Sequence, residues 1–257
     1  MRFRLFFVLI LLLAMQVTTR AEGTDGQMNM AAQDTTTYGK SSKAQIKYTR
    51  GLMENMRKQA RKYSKLYPDY DANLFIKGNV ELLRKGVLMK YIPYIKRLDT
   101  NITNYYGEFI GGVSFNNPNV YNHTIYSITS NKKKFLESNI DAIASPSIRL
   151  NIYQQYIYGN IFSPLAHKSY RYYSFRLDSL WHDEGDTYFK ITFTPRFNNN
   201  KFVTGNFIGS AKSWTIRELD VTGGMEFVDF RSHIIMGDED SPDELLPKTI
   251  KVNTLTK

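Results

Sequence analysis

The chain contains no cysteine. That excludes disulfides, zinc–thiolate centres, cysteine nucleophiles and thiol-linked lipid anchors, including the anchor of a bacterial lipoprotein. Histidine is sparse as well. His123, His167, His182 and His233 are scattered, and none stands in the H-x-x-x-H or H-E-x-x-H spacing that places two ligands on one helix face. There is no G-x-S-x-G elbow, no G-x-G-x-x-G fingerprint and no phosphate-binding P-loop. Beyond Ala21 no stretch is long and apolar enough to cross a membrane as a helix, which takes about 20 residues. These absences leave no expected catalytic residue, metal or cofactor.

What is present suits an exported, strand-rich protein. The 257 residues can bury a real core. Aromatics reach 14%, with 18 Tyr and 16 Phe, and favour strands. Arg2 and Arg4 precede an unbroken apolar run at residues 5–15 (LFFVLILLLAM). The run is too short to span a bilayer but suits the centre of a secretory signal, and Ala21 supplies the small residue before the expected cut. Residues 1–21 therefore read as a signal peptide and 22–42, polar and aperiodic, as a flexible linker. Residues 43–257 read as one α+β domain. The expected location is the periplasm or the outer membrane.

The formal charge is +10, unevenly spread. Residues 43–97 hold 14 Lys/Arg against 4 Asp/Glu, whereas residues 178–257 hold 9 against 13. Nucleic acid is not an expected partner for an exported protein. An anionic membrane surface is one, beside the plainer reading of a solvated basic face.

Residues 43–66 carry a helical stripe of Ile46, Leu52, Met53, Met56, Ala60 and Tyr63. Arg57, Lys58, Arg61, Lys62 and Lys65 fill the remaining faces as a basic surface. The stripe is expected to pack on the core, with a membrane-surface role as the alternative. Strands follow at residues 70–77, 105–115 and 120–129. Residues 80–95 and 150–161 suit either type, and a short helix is expected within 132–147. The clearest part is residues 170–236. Strands at 170–181, 187–195, 201–208, 213–221 and 225–236, parted by turn-like segments, predict a five-stranded antiparallel meander. Tyr173, Phe175, Leu177 and Trp181 share one face, as do Phe189, Ile191 and Phe193.

Between the first two of those strands stands His182-Asp183-Glu184-Gly185-Asp186. Its side chains suit a metal or acid–base site. A hairpin tip needs the same polarity with no chemistry, and consecutive tip residues rarely converge on one ion. The turn reading is preferred. The acidic loop 237–244 lacks the alternating ligands of a calcium loop. Asp178 and Asp183 form no distinctive carboxylate pair.

Several stretches in order, among them IFSPLA (161–166), YYSFRLDS (172–179), FKITFTPR (189–196), FVTGNFIGSAKSWTIRELDV (202–221) and LLPKTIKV (245–252), carry a resemblance. They resemble a family of unknown function from the Gram-negative envelope, and DANLFIKGNVEL and YIPYIKRLD fit the same pattern over residues 44–252. The resemblance implies a carboxypeptidase regulatory-like β-sandwich before this region and a C-terminal outer-membrane β-barrel after it. Only the central region is matched, so a short soluble variant or a truncated member is expected. The family supplies no catalytic residues.

The fold expected is α+β: a curved antiparallel, half-barrel-like sheet with an N-terminal amphipathic helix and one or two short helices. The function expected is non-catalytic, binding lipid, another apolar ligand or an outer-membrane barrel partner through a concave face. Tyr173, Phe175, Leu177, Phe189, Ile191, Phe193, Trp214 and Ile216 are the groove candidates, with plain sheet core as the simpler account. The alternatives are a structural periplasmic segment of a barrel protein, which calls for a flat exposed apolar patch, and a hydrolase with His182, Asp183, Asp186 and His167 in one cleft.

Overall fold

The computed structural model describes residues 14–19, 42–66, 69–81, 104–116, 120–131, 133, 137, 148–183, 185–225, 228–241 and 243–256. The choices at 82–95 and the helix expected within 132–147 lie outside the described residues, apart from two isolated positions.

The main helix, α1, spans Lys43–Tyr63. Ser42 caps it, its hydroxyl accepting from the Gln45 backbone N–H at 3.2 Å. Arg61 and Lys62 sit in the last turn, where the helix dipole favours cations. Its buried face is Thr49, Leu52, Met53, Met56, Arg57 and Ala60. The apolar stripe packs on the core as expected, but Ile46 stays exposed.

The strands are β1 (Ala14–Thr19), β2 (Tyr70–Glu81), β3 (Asn104–Asn116), β4 (Val120–Ser130), β5 (Tyr156–Ile157), β6 (Ile161–Phe162), β7 (Tyr173–Asp183), β8 (Asp186–Pro195), β9 (Thr204–Ser210), β10 (Ile216–Met225), β11 (Val228–Met236) and β12 (Pro247–Thr256). Ten of them form one sheet in the order β4-β3-β2-β1-β12-β11-β10-β9-β8-β7, with every neighbouring pair antiparallel. The sheet is open, with β4 and β7 at its ends. β5 and β6 make a small separate hairpin where a helix was the other choice. The expected meander is present as β7–β11 and runs on through β12. Strand dominates over helix, so the α+β description holds only loosely.

β1 falls within the expected leader. Its sequence, AMQVTT, carries three consecutive β-branched residues, which suit an extended backbone.

One contiguous core lies on one face of this sheet. The helix crosses that face. Near its start the Gln45 side-chain amide donates to the Leu177 carbonyl at 3.3 Å, and at its end the Tyr63 hydroxyl donates to the Ser213 carbonyl at 2.5 Å. Residues 148–172 cover the same face with turns, the β5–β6 hairpin and one short 3-10 helix at Ser169–Arg171, the one short helix among the described residues beside α1. The hydroxyls of one buried and two half-buried tyrosines pin this cover. The Ile216 backbone N–H donates to the Tyr153 hydroxyl at 2.9 Å, Tyr158 shares a hydrogen bond with Ser232 at 2.6 Å, and Tyr70 donates to the Ile148 carbonyl at 2.9 Å. Each keeps its ring in the apolar layer and satisfies its one polar atom.

Two details of β7 and β10 differ from the sequence pattern. A β-bulge between Leu177 and Ser179 shifts the register. A bulge reverses which residues face the core. Leu180 therefore packs inward, whereas Trp181 pairs with Tyr188 and stacks on it at 5.8 Å, on the side away from Phe189. At the other position β10 begins at Ile216. Trp214 lies before it, in the turn after β9, with φ at 59°.

Candidate functional site

The five-residue stretch at the β7–β8 hairpin comes apart in three dimensions. Asp183 pairs with Asp186 across the hairpin, and Gly185 takes φ of 84°, a left-handed conformation that suits glycine. Glu184 lies outside the described residues. His182 is exposed, its Nδ1 shared with the Thr187 hydroxyl at 2.8 Å. Asp183 is exposed, and so is His167 on a different segment. Asp186 points the other way, only 7% exposed. Its carboxylate accepts from the Ser210 hydroxyl and, at 3.0 Å, from the Lys212 backbone N–H, as well as from its neighbour Thr187. It therefore closes the turn between β9 and β10. Among the described residues no three His, Asp or Glu side chains are grouped to hold a metal ion.

Asp186→Ala removes the carboxylate that the Ser210 hydroxyl and the Thr187 N–H donate to, and leaves the Lys212 N–H only its bond to the Ser210 hydroxyl at 3.2 Å. The expected cost is about 2–3 kcal/mol, read from urea unfolding. An unchanged midpoint would refute the turn-closing role.

The other acids have similar employment. Asp178 accepts from Arg176 at 2.8 Å and from Thr192. In the loop after β11, Asp238 meets Lys248 at 3.0 Å, Asp240 meets Lys212 at 3.2 Å, and Glu244 accepts from Thr215 at 2.7 Å. Glu239 accepts from the Tyr188 hydroxyl at 2.6 Å. Burial, and then that carboxylate, raise the Tyr188 pKa above the usual phenol value. His233 lies beside Asp220 at 3.0 Å within the sheet.

The groove candidates come together, but with one another. Tyr173, Phe189, Ile191, Phe193 and Ile216 are fully buried and Leu177 almost so, while Phe175 and Trp214 pack against them from the margin. Phe189 lies against Phe207 at 6.3 Å and Trp214 at 6.2 Å, and Tyr173 meets Phe193 edge-on at 5.9 Å. Two cross-strand pairs make this dense packing possible. Phe189 lies opposite Gly209 and Phe193 opposite Gly205, and each ring occupies the place a glycine Cβ would take, 2.8 Å away. Helix α1 and residues 148–172 cover what an open groove would expose.

The basic surface divides. Lys58, Arg61, Lys62 and Lys65 are exposed along α1. Arg57 is not part of that face, being only 8% exposed. Its guanidinium lies 5.9 Å from the ring centroids of both Tyr170 and Phe175. Burial lowers its pKa from the ordinary value. The long aliphatic stem and the planar head let arginine fill an apolar seam that the residue type alone would not suggest.

Among the described residues, one group of exposed apolar side chains lies where the sequence did not single it out. On β3 the buried residues are Phe109, Val113 and Phe115. The opposite face carries Tyr106, 51% exposed, and Ile110, 46% exposed. A bulge between Ile110 and Gly111 accommodates Tyr126 of β4, whose hydroxyl sits over Gly112 on this same face, with the side chain 63% exposed. Ile125, also exposed, is the register partner of Gly111 and so belongs to the other face. β4 ends the sheet, so among the described residues no further strand pairs with its outer edge. Only the strand order reveals that this flank faces outward.

No curated protein and no solved structure matches the chain. A family model described as a family of unknown function, DUF5686, matches residues 52–255. That span takes in α1 from Leu52 onward, the β3–β4 flank and the β7–β12 meander as far as Leu255, and the chain belongs to this family.

Proposed function

We propose that this is an exported, non-catalytic envelope protein that acts by holding another protein, an outer-membrane β-barrel, against the β3–β4 flank of its sheet. The exposed Tyr106, Ile110 and Tyr126 beside an edge strand carry the reading. Aromatic and aliphatic side chains on an outward sheet face are the composition of an interface centre, and an edge strand adds backbone hydrogen bonds. The filled, helix-covered face weighs against lipid carriage there, because the would-be groove residues are in contact with one another and covered by α1. Export rests on Arg2, Arg4 and the apolar run at residues 5–15. The exposed Lys58, Arg61, Lys62 and Lys65 suit peripheral contact with an anionic membrane surface near that partner.

Photo-crosslinking amino acids at Ile110 and Tyr126, in a Gram-negative cell expressing the exported protein, test this. The expected product is an adduct with an outer-membrane barrel protein, absent when the probe is moved to exposed Lys58 or Lys201. Adducts with lipid alone, or an equal yield at every exposed position, would overturn it. Native mass spectrometry of residues 22–257 supplies the rival result: an extra mass removed by organic solvent would return the reading to a lipid carrier.

A further inference from the structure

Arg57 keeps a charge inside the protein without a counter-charge beside it. The side chain is 8% exposed, and its Nη1 is buried with no hydrogen-bond partner. Among the described residues no carboxylate is paired with it. Glu54, one turn earlier on α1, is exposed and acts on it only through space. Its close company is aromatic, the rings of Tyr170 and Phe175, each centred 5.9 Å from the guanidinium carbon. A buried guanidinium with unpaired N–H groups destabilises a fold, and an unbranched apolar side chain would fill the same seam without that cost.

A second guanidinium shares the seam. Arg171 is exposed, its guanidinium carbon lies 5.8 Å from the centre of the same Tyr170 ring, and its Nε donates to the Tyr170 hydroxyl at 3.3 Å. Two cations therefore meet at one ring, and among the described residues neither is paired with an acid. Ser169, the residue before Tyr170, adds another unpaired polar atom: it is fully buried and its hydroxyl lacks a partner. The exposed neighbours in sequence are cationic too, Lys58 and Arg61 on α1 and Lys168 beside Ser169.

Tyr170 is the cover. Its side chain is 50% exposed, and among the described residues its hydroxyl has only the exposed bond to Arg171. One exposed hydrogen bond and cation–π contact at the surface hold a ring weakly. The ring can turn aside and uncover the forked donors of Arg57.

We propose that this seam binds a phosphate monoester or free phosphate, clamped by Arg57 and Arg171 once the Tyr170 ring turns aside. Two guanidinium groups match the near-dianionic charge of such a group at neutral pH. Its three or more free oxygens serve two planar forks at once, whereas a carboxylate has only two oxygens. The anion supplies the acceptors that Arg57 lacks in the folded chain. A lipid headgroup and a soluble phosphate present the same chemistry. The seam lies on the core face, opposite the side of β3 that presents Tyr106 and Ile110. It therefore stands apart from the barrel contact and depends on neither that contact nor export.

Isothermal titration calorimetry with inorganic phosphate and with short-chain phosphatidic acid, on the purified protein at one ionic strength, tests this. The expected result is a single binding event, weakened about tenfold or more in Arg57→Met and in Arg171→Gln. Arg57→Lys should weaken it as well, because an ammonium lacks the planar fork. Lys47→Met removes an exposed charge from the same helix and should change it by less than about twofold. Short-chain phosphatidylglycerol, a singly charged diester, should bind less tightly than phosphatidic acid. The urea midpoint of Arg57→Met should rise, since Met fills the seam without an unpaired charge. Tighter binding of phosphatidic acid than of inorganic phosphate assigns the lipid headgroup as the source, and the reverse assigns soluble phosphate. Absence of binding by both ligands, binding that survives Arg57→Met, or equal weakening by Lys47→Met overturns the site. A urea midpoint that falls in Arg57→Met makes Arg57 a structural residue and overturns it as well.

Discussion

Phe189→Ala is expected to lower the unfolding free energy by about 3–5 kcal/mol. The ring is fully buried among Phe207, Trp214 and the pleat of β9. Its cross-strand partner is Gly209, which has no side chain to collapse into the vacated space. The cavity term therefore adds to the lost transfer free energy. The partnership also works in reverse. Gly209→Ala sets a Cβ 2.8 Å from the ring and forces it to move, an overpacking cost of about 1–3 kcal/mol. The two changes should not add: in the Phe189→Ala background the new methyl occupies part of the hole, and Gly209→Ala should cost less than it does alone. Urea unfolding of the four chains measures this cycle. A loss under 1 kcal/mol for Phe189→Ala, or strict additivity, would contradict the packing described for this pair.

Alkali should unfold the protein over a narrow range. Burial raises the phenols of Tyr158 and Tyr173 to about 12, with smaller opposing effects from the Ser232 hydroxyl and the Val203 N–H. Tyr70 and Tyr153 are raised as well, again by burial. An unfolded tyrosine titrates near 10. Because the folded values are higher, the contribution of these groups is present in full below pH 10 and is lost as pH rises through about 12. A shift of about two units corresponds to at most about 2.7 kcal/mol per tyrosine. Urea midpoints taken from pH 8 to 12 should stay level and then fall steeply, together with a rise in tyrosinate absorbance. Buried phenols that ionise near 10 with no loss of structure would contradict the burial argument.

How much of this was legible beforehand depended on whether the information was local. The β7–β11 meander could be read because alternation and turn residues are short-range signals. The parity of Trp181 could not, since one extra residue at the Leu177–Ser179 bulge reverses the face and leaves no mark in composition. Trp214 looks like strand and is held in a turn at positive φ. β12, PKTIKVNTLT, has too few apolar residues to announce itself, and Ile250 enters the core only because β11 holds it there. β1 was hidden because the same residues satisfy both a leader and a strand. Arg57 was assigned to a basic face by its charge, and is buried by two aromatic rings supplied from more than a hundred residues later. For the site, the turn reading of His182–Asp186 could be argued from the hairpin pattern. The β3–β4 flank could not, because being at the edge of a sheet is a property of strand order alone.

That order also says how the molecule comes apart. From β2 to β4 and from β7 to β12, strands adjacent in space are adjacent in the strand sequence, and the two series meet only across β1 within the sheet. Each series pairs strands near in sequence, the longest connection being residues 82–103 between β2 and β3, whereas the junction joins Val17 to Ile250 across nearly the whole chain. Sheet formation should therefore proceed as two locally assembled units, with their union as the late and slow event. In native-state hydrogen exchange the units should open with different free energies, β2–β4 with less protection than β7–β12, which carries the helix and most of the buried rings. A fold that looks continuous in its hydrogen bonding would then behave as two cooperative bodies sharing one seam.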